Sequence, residues 1–276
     1  MKPHSTTDKD VAHEPKIPKI IHYVWLGGGE KNETIKKCMR SWEKFCPGYQ
    51  IIEWNEERIK GIDNQFLREA IESKYWAFAS DYIRLYALLH FGGLYFDTDL
   101  EITSPVDEFL QHDFFCCFEP PGPYPSTALI GSKKGDALVS ELLDYYRDRK
   151  FIIDGKPDLI PNPQIFKDIF SRQTVGIRDA KDSSTLLLNA SRIIYPSYFF
   201  CRPKKEHKNF AIHHFNGSWL VLDKTFFRTV LKIGRLEIIK TNSQRDAPYP
   251  PQFDDSITVL VGLTYKNRKR IYLILR

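Results

Sequence analysis

The sequence predicts an α/β domain, and three patterns carry that prediction. A β-branched and aromatic run, residues 19–26, ends at three glycines and is followed by a helical stretch and a second short apolar run. A longer stretch, 65–90, repeats its apolar residues at helical spacing. A Gly-Gly pair then opens a short hydrophobic strand that runs straight into acid. Strand, helix and strand in this order imply a parallel pair joined by a right-handed crossover, the frame of a nucleotide-binding half.

Residues 1–15 are rich in charge, Ser, Thr and Pro and poor in large apolar groups, which reads as a disordered tail. The run 19–26 reads as a buried strand stopped by Gly27-Gly28-Gly29. A helix follows over about 34–45, closed by Pro47-Gly48, and 49–54 form the second strand. Phe66, Ala70, Phe78, Tyr82, Leu85 and Leu89 make 65–90 one long helix or two joined ones. Gly92-Gly93 caps it, and Leu94-Tyr95-Phe96 is the next strand. Further strands are expected at 114–118, 128–131 and 192–195, with helices near 136–149 and 163–171.

Beyond Trp219 the basic residues Lys224, Arg228, Lys232, Arg235 and Lys240 are spaced among Phe226, Phe227, Val230, Leu231 and Ile233. This reads as a basic amphipathic helix, either the solvated face of a packed helix or one laid on an anionic membrane. Residues 256–276 read as a terminal hairpin. The expected organisation is a tail (1–15), one large domain (16–222) and a basic extension (223–276) packed on that domain or at a membrane surface.

A chain of 276 residues with 42% hydrophobic and 14% aromatic content can bury the core of one large domain. Its 40 basic and 35 acidic residues are interspersed, so a net charge of +5 calls for no nucleic-acid partner. The N-terminal stretch has no apolar core of the length a signal peptide or membrane span needs. The five cysteines are odd in number and lack zinc-type spacing, which reads as reduced thiols. A cytoplasmic location follows as the expectation, with peripheral contact on the inner membrane face through the basic segment. The sequons at Asn32, Asn189 and Asn216 then read as chance.

Chemistry concentrates in four places. Asp97-Thr98-Asp99 closes a strand, where alternation would put both carboxylates on one face, two hard oxygen ligands for Mg2+ or Mn2+. Alone the tripeptide is too common to carry a function and equally caps a strand end. On the preceding helix, Ser80-Asp81-Tyr82-Ile83-Arg84 sets Asp81 and Arg84 three apart on one face, either a surface ion pair or an acceptor and a forked donor for a sugar. Trp25 ends the first strand where ligands of parallel sheets sit, as a base-stacking platform or a core indole. Finally, Ala211-Ile212-His213-His214-Phe215-Asn216-Gly217-Ser218-Trp219 holds two imidazoles, one of which would complete a metal shell while the other is structural. Strand alternation sends His213 and His214 to opposite faces.

Four ordered blocks together carry a family resemblance: Ile17-Pro18-Lys19-Ile20-Ile21-His22-Tyr23-Val24-Trp25-Leu26-Gly27, Ala79-Ser80-Asp81-Tyr82-Ile83-Arg84, Gly92-Gly93-Leu94-Tyr95-Phe96-Asp97-Thr98-Asp99 and His213-His214-Phe215-Asn216-Gly217-Ser218-Trp219. The chain resembles the DXD-containing sugar transferases that include capsular polysaccharide synthesis proteins, yeast initiating mannosyltransferases and the catalytic domains of clostridial glucosylating toxins. The resemblance implies a GT-A fold, a Rossmann-like nucleotide-binding half with a mixed central sheet. It also implies retaining transfer from a nucleotide sugar, a UDP-sugar first among them, to a saccharide or glycolipid acceptor, as in surface polysaccharide synthesis. By likeness Val24 and Trp25 hold the base, Ser80, Asp81 and Arg84 the donor sugar, and Tyr95 the nucleoside. Asp97 and Asp99 hold Mn2+ or Mg2+ and the ribose or diphosphate, His213 (or, less favoured, His214) completes the metal shell, and Ser218 and Trp219 contact the diphosphate. Ser126 stands where many relatives carry an asparagine near the donor sugar, so donor identity is not inherited. Two rival readings are an Asp-x-Asp phosphohydrolase, disfavoured by Glu101 at the next alternate site, and a non-catalytic sugar-nucleotide-binding protein.

Overall fold

The computed structural model describes residues 14–120, 124–174, 177 and 184–215, together with the backbone of four later strands. The chain divides into two compact units, Met1–His214 and Phe215–Arg276.

The first unit opens with β1 (Ile20–Val24), α1 (Glu33–Phe45) and β2 (Gln50–Trp54), and β1 and β2 pair in parallel as the β-α-β pattern requires. Asn32 caps α1, its side-chain oxygen accepting from the Ile35 N–H at 3.0 Å. After the short α2 (Glu56–Ile59), the long helical stretch is two helices, α3 (Gln65–Glu72) and α4 (Trp76–Phe91). The break falls at Lys74, whose positive φ of 59° ends α3 in the left-handed conformation. Then come β3 (Gly93–Phe96), β4 (Leu100–Ile102), β5 (Phe114–Glu119), β6 (Tyr124–Pro125) and β7 (Leu129–Ser132). The remainder is α5 (Ala137–Asp144), β8 (Ile152–Ile153), β9 (Lys156–Pro157), α6 (Asn162–Gln173), β10 (Leu186–Asn189), β11 (Arg192–Tyr195), α7 (Ser197–Phe200) and β12 (Ala211–His213).

The central sheet runs β10-β11-β5-β7-β3-β1-β2, with β6 paired to β5. It is mixed: β1 is parallel to β2 and β3, and β11 to β5, whereas β7 is antiparallel to both β3 and β5. This is the α/β architecture with a mixed central sheet expected of the GT-A class. Alternation along the strands decides which helix covers which face. Tyr23 and Phe96 meet Trp42 of α1, while Tyr95 turns to the opposite face, where Arg84 of α4 lies over its ring at 4.6 Å. The α4 helix is buried around much of its circumference, polar Asp81 and Arg84 included.

Gly92 and Gly93 have φ of 68° and 109°. A Cβ would sit 2.6 Å from the Lys134 nitrogen at the first and 2.6 Å from the Ile20 carbonyl oxygen at the second, so only glycine admits this close passage from α4 into β3.

The second unit contains β13 (Phe227–Ile233), β14 (Leu236–Thr241), β15 (Ile257–Thr264) and β16 (Lys269–Leu275) in an antiparallel sheet ordered β13-β14-β16-β15. The expected terminal hairpin is β15–β16. The expected basic helix over 224–240 is instead the β13–β14 pair. Thr229, Val230, Ile233, Ile238 and Ile239 are β-branched, and Gly234 stands between two apolar runs, so strand propensity outweighs the helical spacing of the basic residues.

Candidate functional site

The site gathers where β3 leaves the sheet. Asp97, Thr98 and Asp99 are not on a strand, as alternation had assumed, but on the turn between β3 and β4. The Asp97 N–H donates to the Ala128 carbonyl at 2.8 Å, the last rung toward β7, and the Leu100 N–H then donates back to the Asp97 carbonyl at 3.0 Å. The two carboxylates therefore converge by turn geometry rather than by strand pleat.

A third candidate ligand comes from 114 residues beyond Asp99. β12 pairs antiparallel with β4, setting His213 opposite Leu100, and the His214 N–H donates to the Asp99 carbonyl at 3.1 Å. His213 Nε2 lies 3.3 Å from Asp99 Oδ1. One ligand atom each from Asp97, Asp99 and His213 falls within a 4.8 Å span. His214 turns away and meets Glu101 at 2.8 Å, a carboxylate that Lys37 also approaches at 2.9 Å. Burial opposes protonation of His213, but the adjoining Asp99 carboxylate prevails and holds its pKa well above the usual imidazole range. Two carboxylates and an imidazole fit a divalent cation such as Mn2+ or Mg2+.

Beneath this turn lies a buried charge cluster. Arg84 is 5% exposed and its Nη2 reaches Asp81 Oδ1 at 3.1 Å and Asp97 Oδ1 at 3.4 Å. The same guanidinium donates to the Ser80 hydroxyl at 3.1 Å and to the Thr127 carbonyl at 3.0 Å. The Tyr95 hydroxyl donates to Asp97 Oδ1 at 2.9 Å. Ser80, Asp81, Arg84, Tyr95 and Asp97 thus form one contiguous network. Burial raises the Asp81 carboxyl to about 7, with Arg84 pulling it down and Asp97 pushing it further up. This is no surface ion pair, the alternative that the sequence left open.

Val24 ends β1, and the β1–β3 register, which pairs His22 with Tyr95, sets it level with Asp97 when carried two residues on. Trp25 is half-buried just beyond, its indole N–H donating to the Gly29 carbonyl at 2.8 Å and the Lys31 ammonium 5.0 Å over its ring. Ser126 is 1% exposed, its hydroxyl accepting from the Ala128 N–H at 3.4 Å. Ser218 and Trp219 lie outside the described residues.

Three groups near the site were missed. Asn162, first residue of α6, donates from its side-chain amide to the Asp81 carbonyl at 3.2 Å and accepts from the Tyr146 hydroxyl at 2.7 Å, both fully buried. Trp76 packs its indole on Gly27, where a Cβ would stand 2.8 Å from the ring nitrogen. Cys201 and Glu119 lie beside His213. None belongs to a motif, and an asparagine after a proline reads locally as a helix start.

Residues 32–115 match the family model described as the glycosyltransferase sugar-binding region containing a DXD motif. Inositol phosphoceramide mannosyltransferase 1 of Schizosaccharomyces pombe is 29% identical over 123 residues, 42% of this chain and 36% of that protein. Subversion of eukaryotic traffic protein A of Legionella pneumophila is 25% identical over 162 residues, 48% of this chain and 25% of that protein. The alignments therefore span less than half of either relative. The solved PaToxG glycosyltransferase is 20% identical with a TM-score of 0.45, over 59% of this chain and 72% of that one. The matched segment, which resembles the sugar-binding region of DXD-containing glycosyltransferases, carries Asp81, Arg84, Asp97 and Asp99 on α4 and the turn after β3.

Proposed function

We propose that this protein is a retaining hexosyltransferase that moves a sugar from a nucleotide diphosphate donor, a UDP-sugar, to a saccharide or glycolipid acceptor. The observation that carries the reading is the convergence of Asp97, Asp99 and His213 within 4.8 Å directly over the buried Asp81–Arg84 pair. A divalent cation held by those three residues would neutralise the charge that develops on the departing diphosphate.

The chain's own groups do the positioning. Asp81 accepts hydrogen bonds from donor-sugar hydroxyls while Arg84, locked between Ser80, Thr127 and Asp97, presents its remaining donor capacity to sugar or phosphate oxygens. Tyr95 orients the Asp97 carboxylate through its hydroxyl. Val24 and Trp25, at the carboxyl end of β1, receive the base. Asp81 and Asp97 are engaged with Arg84 and Asp99 with His213, and none of the three is assigned as a covalent nucleophile, so the acceptor hydroxyl attacks on the face from which the diphosphate leaves. The glycolipid arm of the acceptor class follows the inositol phosphoceramide for which the fission-yeast relatives are named. Among the described residues no helix is long and apolar enough to cross a membrane.

The test incubates the purified protein with Mn2+ and a panel of nucleotide sugars, reading donor binding and released nucleoside diphosphate. Replacing Asp97 and Asp99 together by Ala abolishes both signals. Donor binding and turnover that survive the double replacement overturn the reading.

A further inference from the structure

His213 belongs to two ligand sets. On one side stand Asp97 and Asp99; on the other, Glu119, Cys201 and His213 again place one ligand atom each within 4.8 Å of one another. Glu119 is 8% exposed and Cys201 is fully buried. Cys117, two residues before Glu119 on β5 and so on the same face of the strand, lies within hydrogen-bonding reach of the Cys201 thiol. Backbone pairing secures the arrangement, since the His213 N–H donates to the Cys201 carbonyl at 3.0 Å and the Cys201 N–H to the Ser197 carbonyl at 2.8 Å.

The two sets differ in chemistry. Carboxylate oxygens suit Mg2+ and Mn2+, whereas thiolates with an imidazole and one carboxylate suit a softer, tetrahedral ion. Zinc holds nitrogen and sulfur at about 2.0–2.3 Å, which spaces tetrahedral ligands about 3.4–3.8 Å apart. The Glu119, Cys201 and His213 atoms, at most 4.8 Å apart, therefore close by no more than about 1.4 Å, and the Cys117 sulfur, which lies outside that group, swings in from the Cys201 side by side-chain rotation.

We propose that Glu119, Cys201 and His213, with Cys117 as the fourth ligand, form a second metal site selective for Zn2+, which competes with the Asp97–Asp99 site for His213. A neutral imidazole offers one lone pair, the other ring nitrogen carrying its proton, so His213 engaged with the thiolate set is withdrawn from the carboxylate set. The competition clause rests on the role given to His213 under Proposed function; the binding clause does not.

The test uses the full-length reduced protein and Co2+ as a spectroscopic probe, followed by displacement with Zn2+. Thiolate-to-cobalt charge-transfer bands and tetrahedral d–d bands appear at one equivalent and disappear on adding Zn2+. Cys201→Ser removes the charge-transfer bands and Glu119→Gln weakens binding by about tenfold or more. Replacing Asp97 and Asp99 by Asn leaves the bands in place, so failure of the transferase reading is separable from failure of this one. X-ray absorption at the zinc edge of the wild-type complex serves independently of any variant, and shows sulfur in the first coordination sphere. An oxygen-and-nitrogen-only sphere, absent charge-transfer bands, or bands that persist in a folded Cys201→Ser protein overturn the proposal. Micromolar Zn2+ that raises the Mn2+ concentration needed for donor binding supports the competition clause, and Zn2+ without effect on it overturns that clause.

Discussion

His22 shows how a single side chain converts burial into pH dependence. It is fully buried, accepts the Trp54 indole N–H on Nδ1 at 3.1 Å and donates from Nε2 to the Gly92 carbonyl at 2.9 Å. Both nitrogens are satisfied only in the neutral ring, since a proton on Nδ1 would face another donor. Burial, together with the Arg58 charge, lowers its pKa to about 4 against the Gly92 hydrogen bond. Between about pH 6.5 and 4 the unfolded chain takes up a proton that the folded one refuses. Stability present above that window is therefore lost as the pH falls through it, by up to about 3 kcal/mol. Urea midpoints at pH 7 and 4.5 measure this, and His22→Gln shows a smaller fall between the two; identical falls refute the assignment. Among the two adjacent histidines, His213→Ala weakens Mn2+ binding by about tenfold or more and His214→Ala by less than about threefold, because only His213 faces the Asp97–Asp99 pair. Calorimetric titration of each variant separates them.

At the scale of elements, the passage from α4 into β3 is a tightly constrained join. Gly93→Ala sets a Cβ against the Ile20 carbonyl at a φ of 109° and is expected to cost on the order of 2–4 kcal/mol in chemical denaturation. The α1 helix is held differently, by Trp42 buried against Tyr23 and Phe96 with its indole N–H on the Leu100 carbonyl at 2.7 Å. Trp42→Ala costs about 3–5 kcal/mol and loosens β4, to which β12 and His213 are paired, so Mn2+ affinity falls with stability. A variant destabilised by that amount with unchanged metal affinity would show that β4 keeps its place without α1. The elements carrying these residues were legible because apolar periodicity is local: β1, α1, β2, α4, β5 and β11 fall where spacing and turn residues set them. β4 and β12 were not, being short strands whose only reason to be extended is each other.

For the whole molecule, the decisive contacts join segments far apart in the chain. Asn162 holds the Asp81 carbonyl from 81 residues away, and Tyr146 in turn holds Asn162. Asn162→Ala strands a buried hydroxyl and removes a donor to a buried carbonyl, an expected loss of about 1–3 kcal/mol with weaker donor binding. Tyr146→Phe, which strands only the Asn162 oxygen, costs less; equal donor affinity in both variants and wild type would remove Asn162 from the site's support. From the sequence alone came the α/β class, the Gly-Gly join, the Asp81–Arg84 face and the acid pair, all written in residues within a few positions of one another. Tertiary structure alone decided that the acid pair sits on a turn, that Arg84 is buried against Asp97, and that His213 rather than His214 faces the carboxylates. The reason is physical: local spacing sets which way a side chain leaves its own element, whereas the register of β12 on β4 and the burial of α4 set what that side chain meets.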